Sequence, residues 1–160
     1  MNANQTKKIL REIPCNKSVM LVAKHGVGKS AIVKQVAQEL GIQFHDVRLS
    51  QCEVGDIKGL PFLDEANQRT VFLKPYWWPK DPNSKGILFF DEYDKVAKVP
   101  EIQAALLHIT DPMQNVEFQD NYLSFPIDLS HLWQIYSMNS LPEDGALKDR
   151  IFPIVINGYT

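Results

Sequence analysis

The sequence has little cysteine, no strong excess of either charge and no long hydrophobic run. Its 160 residues include 2 cysteines, 17 lysines and arginines, and 19 aspartates and glutamates, for a formal net charge of −2. Cys15 and Cys52 are too few for a disulfide framework or a cysteine-based zinc site, so we expect a reducing, cytoplasmic location. The near-neutral charge excludes nucleic-acid or anionic-membrane binding over the whole surface, although a local basic patch is compatible with it.

Two further absences concern membranes and export. No apolar run approaches the roughly 20 residues that a membrane-spanning helix needs, and Met1–Lys8 lacks the apolar core of a signal peptide. Hydrophobic residues nevertheless make up 44% of the chain, which is enough for one core. Because domains typically contain roughly 100–200 residues, we expect residues 1–160 to form a single domain.

Hydrophobic patterning predicts strands that alternate with helices. Apolar residues at helical spacing predict a helix over Thr6–Ile13, a second that ends at Gly41 and a third that begins at Pro100. The predicted strands are Ser18–Ala23, Phe44–Leu49, Gly86–Phe90, Leu132–Met138 and Ile154–Ile156. This alternation is typical of βαβ units and predicts a three-layer α/β/α sandwich around a central, mainly parallel five-stranded sheet.

Two segments interrupt the alternation, and each consists of two short apolar stretches around a polar turn. The first pairs Pro61–Leu63 with Thr70–Leu73 around Asp64–Arg69, and the second pairs Val116–Phe118 with Tyr122–Phe125 around Gln119–Asn121. Both patterns predict β-hairpins inserted into the α/β core. They are either decoration on the sheet edge or loops with a function of their own.

The segment Ala23–Ser30 has the spacing of a phosphate-binding loop, with Ala23 in place of the usual first glycine. It lies between a predicted buried strand and an amphipathic helix, which is the context that this motif requires. Glycines let the backbone N–H groups face a phosphate, Lys29 would reach the β- and γ-phosphates, and the Ser30 hydroxyl would bind Mg²⁺. The predicted nucleotide-binding residues are His25, Gly26, Val27, Gly28, Lys29, Ser30 and Ala31, with His25 either near the nucleotide or facing solvent.

Two carboxylates, Asp91 and Glu92, follow the apolar run Gly86–Phe90. We expect them at the carboxyl edge of the parallel sheet, where ligands bind in open α/β folds. Asp91 is predicted to hold Mg²⁺, and Glu92 to accept the proton of the water that attacks the γ-phosphate. Taken alone, the pair is also compatible with a solvated turn. Ser50 and Gln51, after the second predicted strand, are candidates to gate Glu92.

Two more polar residues follow predicted elements near the end of the chain. Asn139 ends the strand Leu132–Met138, and its amide is predicted to orient the attacking water and to contact the γ-phosphate. Arg150 lies on a short predicted helix before the last strand, and its guanidinium could stabilise charge on the transferring phosphoryl group. The alternatives are a turn amide for Asn139 and, for Arg150, a surface arginine paired with Asp149 or another acid.

These four elements, in this order, resemble the AAA+ ATPase family over nearly the whole chain. Ala23–Ser30 resembles the Walker A motif, Ile87–Glu92 resembles Walker B, Asn139 resembles sensor 1 and Arg150 resembles the arginine finger. The resemblance implies a P-loop NTPase fold, ATP as substrate and Mg²⁺-dependent hydrolysis. It also implies self-association into a ring, hexameric in the family, in which the finger acts on the nucleotide of the next subunit.

Finer features resemble the MoxR-like branch of that family. They are the two hairpins and the segments Gly55–Pro61, Asp91–Lys95 and Pro100–Leu107, while Leu147–Thr160 also resembles Lon proteases. Hairpins in the MoxR-like branch face the pore of the ring or its partner proteins, which makes Asp64–Arg69 and Gln119–Asn121 candidate contact loops. The resemblance implies that ATP hydrolysis remodels a client protein, which the sequence does not name.

The family normally carries a helical lid after this core, and the sequence stops at Thr160, where the lid would begin. We therefore expect the lid to be absent from this chain and a lid-bearing partner to be an alternative to self-association. A nucleotide-dependent binding module with negligible hydrolysis is the second functional hypothesis. A DNA-directed motor or loader is the third, which the net charge disfavours; we expect neither a nucleic-acid nor a membrane partner.

Overall fold

The computed structural model describes residues 2–15, 17–77, 81, 84–110, 132–139 and 152–156. Within these residues the helices are α1 (Ala3–Glu12), α2 (Lys29–Leu40), α3 (Val54–Lys58) and α4 (Pro100–Thr110). The strands are β1 (Val19–Ala23), β2 (Gln43–Arg48), β3 (Pro61–Asp64), β4 (Arg69–Phe72), β5 (Gly86–Asp91), β6 (Leu132–Met138) and β7 (Phe152–Ile156). Short 3-10 turns, Leu49–Gln51 and Tyr93–Lys95, follow β2 and β5.

Five of these strands form one sheet in the order β2-β5-β6-β1-β7, and every neighbouring pair is parallel. This confirms the predicted α/β class, the parallel five-stranded sheet and the P-loop NTPase type of fold. Strand β6 lies between β1 and β5, so the carboxyl ends of these three strands are adjacent at one edge. That arrangement brings together three predicted motifs that are far apart in the sequence.

The core has two halves, one on each face of the sheet. Strand β5 supplies both, because Ile87 and Phe89 face one side while Leu88 and Phe90 face the other, and all four are fully buried. Helices α1 and α2 cover the first face through Leu10, Val33 and Val36. Helices α3 and α4 cover the second through Ile57, Ile102 and Leu106. The three layers follow from this alternation of side chains along buried parallel strands.

Local capping explains where α1 begins and where α2 ends. Helix α1 begins at Ala3, earlier than the predicted Thr6, because Asn2 and Gln5 form a reciprocal capping box with N–H to side-chain oxygen distances of 2.9 Å. Helix α2 ends at Leu40, and the predicted stop residue Gly41 takes the left-handed backbone (φ 66°) of a helix C-cap. The first two residues of α2, Lys29 and Ser30, are the last two of the phosphate-binding segment.

The first predicted hairpin is present as the antiparallel pair β3–β4, in which Pro61 lies opposite Phe72 and Asp64 opposite Arg69. Its turn is closed by Asp64, whose carboxylate accepts from the Asn67 amide at 2.9 Å and pairs with Arg69 at 3.4 Å. The second predicted hairpin, Val116–Phe125, lies outside the described residues. None of the helices that the structure describes is both long and apolar enough to cross a membrane.

Candidate nucleotide-binding site

The loop between β1 and α2 has the backbone of an anion-binding turn. Gly26 and Gly28 both have positive φ angles, 86° and 82°, which residues with a Cβ adopt only at a cost. Gly28 is the N-cap of α2, so the unpaired N–H groups and the positive end of the helix dipole face the loop. The glycine spacing in the sequence therefore produces the predicted loop geometry.

Lys29 is the first residue of α2, and its side chain folds back across the loop. Its Nζ donates to the backbone oxygen of Ala23 and to Oδ1 of Asn139, both at 2.9 Å. Burial lowers the pKa of the Lys29 ammonium, while the carboxylates of Asp91 and Asp94 act in the opposite direction. A partly desolvated cation of this kind is stabilised by an incoming polyphosphate.

Asp91 ends β5 with one carboxylate oxygen committed to the protein. The Ser137 hydroxyl donates to Asp91 Oδ1 at 2.7 Å, and the Glu92 N–H donates to the same oxygen at 2.9 Å. Ser137 is fully buried on β6. Among the described residues Oδ2 of Asp91 accepts no hydrogen bond, so it is the oxygen available to a metal ion.

Glu92 follows Asp91 in a backbone conformation that is unusual for its residue type. Its φ and ψ of 59° and 42° lie in the left-handed region, and such strain in a non-glycine residue clusters at functional sites. The Glu92 carboxylate accepts a hydrogen bond from the Ser50 hydroxyl, which follows β2. The predicted neighbour Ser50 therefore does contact Glu92, whereas no hydrogen bond joins Gln51 to Glu92 in the part of the chain that the structure describes.

The loop and the ends of β5 and β6 enclose a cleft of about 190 Å³. This volume is below the roughly 300–1,000 Å³ of small-molecule pockets, so it matches the phosphate end of a nucleotide better than a whole one. Its lining consists of loop residues, acids after β5 and the end of β6: His25, Gly26, Gly28, Lys29, Ser30, Asp91, Glu92, Asp94, Ser137, Met138 and Asn139.

The oxygen donors in this cleft fit Mg²⁺. Ser30 supplies a hydroxyl and Asp91 a carboxylate, and Mg²⁺ is usually held by one or two carboxylates with substrate phosphates and water. On the neighbouring strand β2, burial and then the carboxylates of Asp91 and Glu92 raise the pKa of Asp46, while the cations of Arg48 and Lys34 act in the opposite direction. Ser30 and Asp91 would hold the ion.

Residues 19–126, about two thirds of the chain, match the model of the "ATPase family associated with various cellular activities (AAA)". The chain belongs to the AAA ATPase family. The matched segment contains the phosphate-binding loop and both acids after β5, and it ends before Asn139 and Arg150.

Curated relatives of this AAA domain include Lon proteases. A Lon protease homolog of Acanthamoeba polyphaga mimivirus is 37% identical over 147 residues, which cover 88% of this chain and 14% of that protein. A protein named Lon protease homolog 2, peroxisomal, from Pichia angusta is 30% identical over 157 residues, which cover 88% of this chain and 15% of that protein. The chain thus spans about one seventh of these relatives' length, and the similarity extends well beyond Leu147–Thr160.

A solved structure supports the fold independently. NtrX from Brucella abortus superposes with a TM-score of 0.61 at 16% identity, over 96% of this chain and 35% of that one. At that identity the likeness concerns the fold alone. It agrees with the parallel sheet and the flanking helices described above.

The structure brings most of the predicted site residues of the AAA domain into one cleft. His25, although exposed, lines it with the loop. Val27 instead packs against the core beneath α2, and Ala31 is exposed on the first turn, so neither side chain lines the cleft. Arg150 and the candidate loop Gln119–Asn121 lie outside the described residues, so their predicted roles stay predictions.

Three cleft residues had no predicted role: Ser137, Met138 and Asp94. In the sequence, Ser137 is only a polar residue at the penultimate position of a predicted strand. Its contact with Asp91 depends on the register of β6 against β5. Asp94 lies three residues after Asp91 in a polar segment, and the 3-10 turn Tyr93–Lys95 returns it to the cleft. Neither contact could be derived without the strand order.

Proposed function

We propose that this AAA domain binds ATP with Mg²⁺ and hydrolyses it in a ring assembly of the MoxR-like type, where hydrolysis remodels a partner protein. The observation that carries the proposal is the convergence of Lys29, Asp91, Glu92 and Asn139 on one cleft beside an anion-binding loop. An ammonium, two carboxylates and an amide in this arrangement are the groups that phosphoryl transfer to water needs.

Each residue has a distinct task in the proposed reaction. The backbone N–H groups around Gly26–Gly28 and the Lys29 ammonium bind the phosphates. Ser30 and Asp91 hold Mg²⁺, which neutralises charge on the β- and γ-phosphates when bound. Glu92 accepts a proton from the attacking water while the oxygen of that water bonds to the γ-phosphorus. The bond between the γ-phosphorus and the bridging oxygen breaks in the same reaction, which releases ADP and phosphate.

Assembly is proposed to complete the site. Arg150 would supply a positive charge to the nucleotide of a neighbouring subunit, an arrangement that needs a head-to-tail ring or a lid-bearing partner. The hairpin β3–β4 precedes β5, as in the MoxR-like branch, and it exposes Phe62 and Leu63 by 57% and 59%. We assign this hairpin to contacts with the partner or client, and we place the protein in the cytoplasm.

The first experiment uses three variants of the chain. Lys29→Ala should lose ATP binding, whereas Glu92→Gln should bind ATP without turning it over, because the amide cannot accept the proton. Equilibrium binding of a fluorescent ATP analogue and steady-state phosphate release measure the two steps. Lys8→Ala, on the exposed surface of α1, is the matched control. Turnover by purified Glu92→Gln at the wild-type rate would contradict the role of Glu92.

A nucleotide-dependent binding module with negligible hydrolysis is the second candidate. The observation in its favour is the hydrogen bond from Ser50 to Glu92, which occupies the carboxylate that must accept the proton. Phosphate release per subunit, measured against protein concentration, separates the two functions. A rate that rises with concentration and falls in Arg150→Ala supports hydrolysis in a ring, and a rate near zero at every concentration supports the binding module.

A further inference from the structure

Asp94 lies beside Asn139, and it belongs neither to the segment that resembles Walker A nor to the segment that resembles Walker B. Nδ2 of Asn139 donates to Oδ2 of Asp94 at 3.4 Å, a long hydrogen bond, and Oδ1 of Asp94 is buried without a partner among the described residues. The opposite side of the same amide, Oδ1, accepts from Lys29 Nζ at 2.9 Å. Asn139 is thus held between an ammonium and a carboxylate.

These two neighbours require the same orientation of the Asn139 amide. A rotation by 180° would place the NH₂ group against the Lys29 ammonium and the oxygen against the Asp94 carboxylate, and both contacts would be repulsive. Without nucleotide, either neighbour alone would select the observed orientation. The two neighbours differ in their effect once nucleotide binds, because Lys29 then turns to the phosphates while Asp94 stays beside the Asn139 amide.

The turn that carries Asp94 is fixed from the other side of the sheet. The Tyr93 hydroxyl donates to Oε1 of Gln103 on α4 at 2.7 Å, and Nε2 of Gln103 donates to the Val96 backbone oxygen at 2.9 Å. Tyr93 also packs edge-on against Tyr136 of β6, with ring centroids 6.0 Å apart. Asp94 is therefore held at a defined place relative to β6 and Asn139.

We propose that Asp94 is a positioning residue that keeps Oδ1 of Asn139 directed into the cleft when nucleotide is bound. Asn139 then acts as a hydrogen-bond acceptor for the attacking water, together with Glu92, and not as a donor to the γ-phosphate. A water held by two acceptors directs its lone pair at the phosphorus. The inference rests on the proposed function, since it concerns the same water.

The kinetic test substitutes Asp94 and Asn139 singly and then exchanges the two side chains. Asp94→Asn can present either an oxygen or an NH₂ group, so it no longer selects one orientation, and turnover should fall about tenfold with KM for ATP within about twofold. Asn139→Asp places two carboxylates together and should also slow turnover. The double variant Asp94→Asn/Asn139→Asp restores one donor facing one acceptor, and it should exceed both single variants in turnover.

Asp56→Asn is the matched control, because it removes a carboxylate that accepts from a backbone N–H outside the cleft. Wild-type kcat in Asp94→Asn would overturn the proposal, as would a change confined to KM. A double variant slower than both single variants would overturn it too, since a merely structural Asp94 gives no rescue by exchange.

A second readout does not depend on turnover. In the ATP-bound Glu92→Gln chain, hydrogen exchange of the Asn139 side-chain amide, identified by its loss in Asn139→Asp, should be slow and should accelerate several-fold with Asp94→Asn. Unchanged exchange would overturn the proposal. If wild-type turnover is absent, the proposed hydrolysis fails while this measurement still decides the role of Asp94.

Discussion

Ser137 shows how a single buried hydroxyl can orient a carboxylate that is proposed to bind a metal ion. Its hydrogen bond to Asp91 Oδ1 directs that side chain and leaves the other oxygen open for the proposed Mg²⁺. We predict that Ser137→Ala raises the Mg²⁺ concentration needed for half-maximal ATP binding about tenfold, because supporting hydrogen bonds typically contribute 10–100-fold to metal affinity. Titration of ATP binding with Mg²⁺ tests this, with Ser18→Ala, before β1 at the opposite edge of the sheet, as control. Equal Mg²⁺ dependence in the two variants would contradict it.

A second prediction for a single residue concerns Tyr93 and the pH dependence of stability. Burial raises the pKa of the Tyr93 phenol, with the hydrogen bond to Gln103 acting in the opposite direction. Above the unfolded pKa of 10 the unfolded chain therefore releases this proton first, and the stability that depends on the neutral phenol is lost as the pH rises through the folded pKa.

At pH 7, Tyr93→Phe should cost about 1 kcal/mol of unfolding free energy, because it removes the hydrogen bond to Gln103. Between pH 9 and pH 11 the wild-type chain should lose stability faster than Tyr93→Phe, so the difference should shrink. Urea denaturation at several pH values measures both curves. A difference that stays constant or grows above pH 10 would show that the phenol does not titrate as inferred.

At the scale of elements, two glycines with positive φ but different ψ angles, 29° at Gly41 and 176° at Gly59, should respond differently to alanine. Gly41 ends α2 with φ 66° and has open space around the position of a Cβ, whereas a Cβ on Gly59 (φ 88°) would lie 1.6 Å from the Leu73 backbone oxygen. Gly41→Ala should cost about 1 kcal/mol, from the left-handed backbone alone. Gly59→Ala should cost at least about twice that, since the base of the hairpin must also move. Chemical denaturation of the two variants compares them, and equal costs would contradict the clash.

The observed elements also show which local sequence signals were sufficient to predict their positions. The strand over Leu132–Met138 and the hairpin around Asp64–Arg69 are where apolar runs and polar turns predicted them. The start of α1 was wrong by three residues, because the Asn2–Gln5 capping box extends the helix through a polar segment without apolar periodicity. Patterning locates a buried face, and capping decides where the backbone hydrogen bonds begin.

For the whole molecule, nucleotide should act as a stabilising ligand. A ligand that binds only the folded chain adds about 2.7 kcal/mol at a concentration 100 times its Kd. We predict that MgATP raises the thermal unfolding midpoint of the wild-type chain and of Glu92→Gln, and leaves Lys29→Ala unchanged. Differential scanning calorimetry with MgATP or Mg²⁺ alone measures this. An equal rise in Lys29→Ala would place nucleotide binding elsewhere.

The sequence by itself determined the chemistry of this protein and most of its elements. The spacing of Gly26, Gly28 and Lys29 predicts a phosphate-binding loop, and an apolar run followed by Asp91 and Glu92 predicts acids at a sheet edge. These signals are readable because they depend on neighbours a few residues apart. They predict a phosphate-binding α/β core, and the resemblance to the AAA+ ATPase family added ATP as the nucleotide.

The tertiary structure alone decided which of these groups meet. Lys29 and Asn139 are 110 positions apart, and Ser137 and Asp91 are 46 apart, yet each pair forms a hydrogen bond. The strand order, with β6 between β1 and β5, creates these contacts, and no local pattern encodes a sheet order because it results from packing both faces at once. The proposed role of Asp94, which depends on a carboxylate and an ammonium on opposite sides of one amide, belongs to that level.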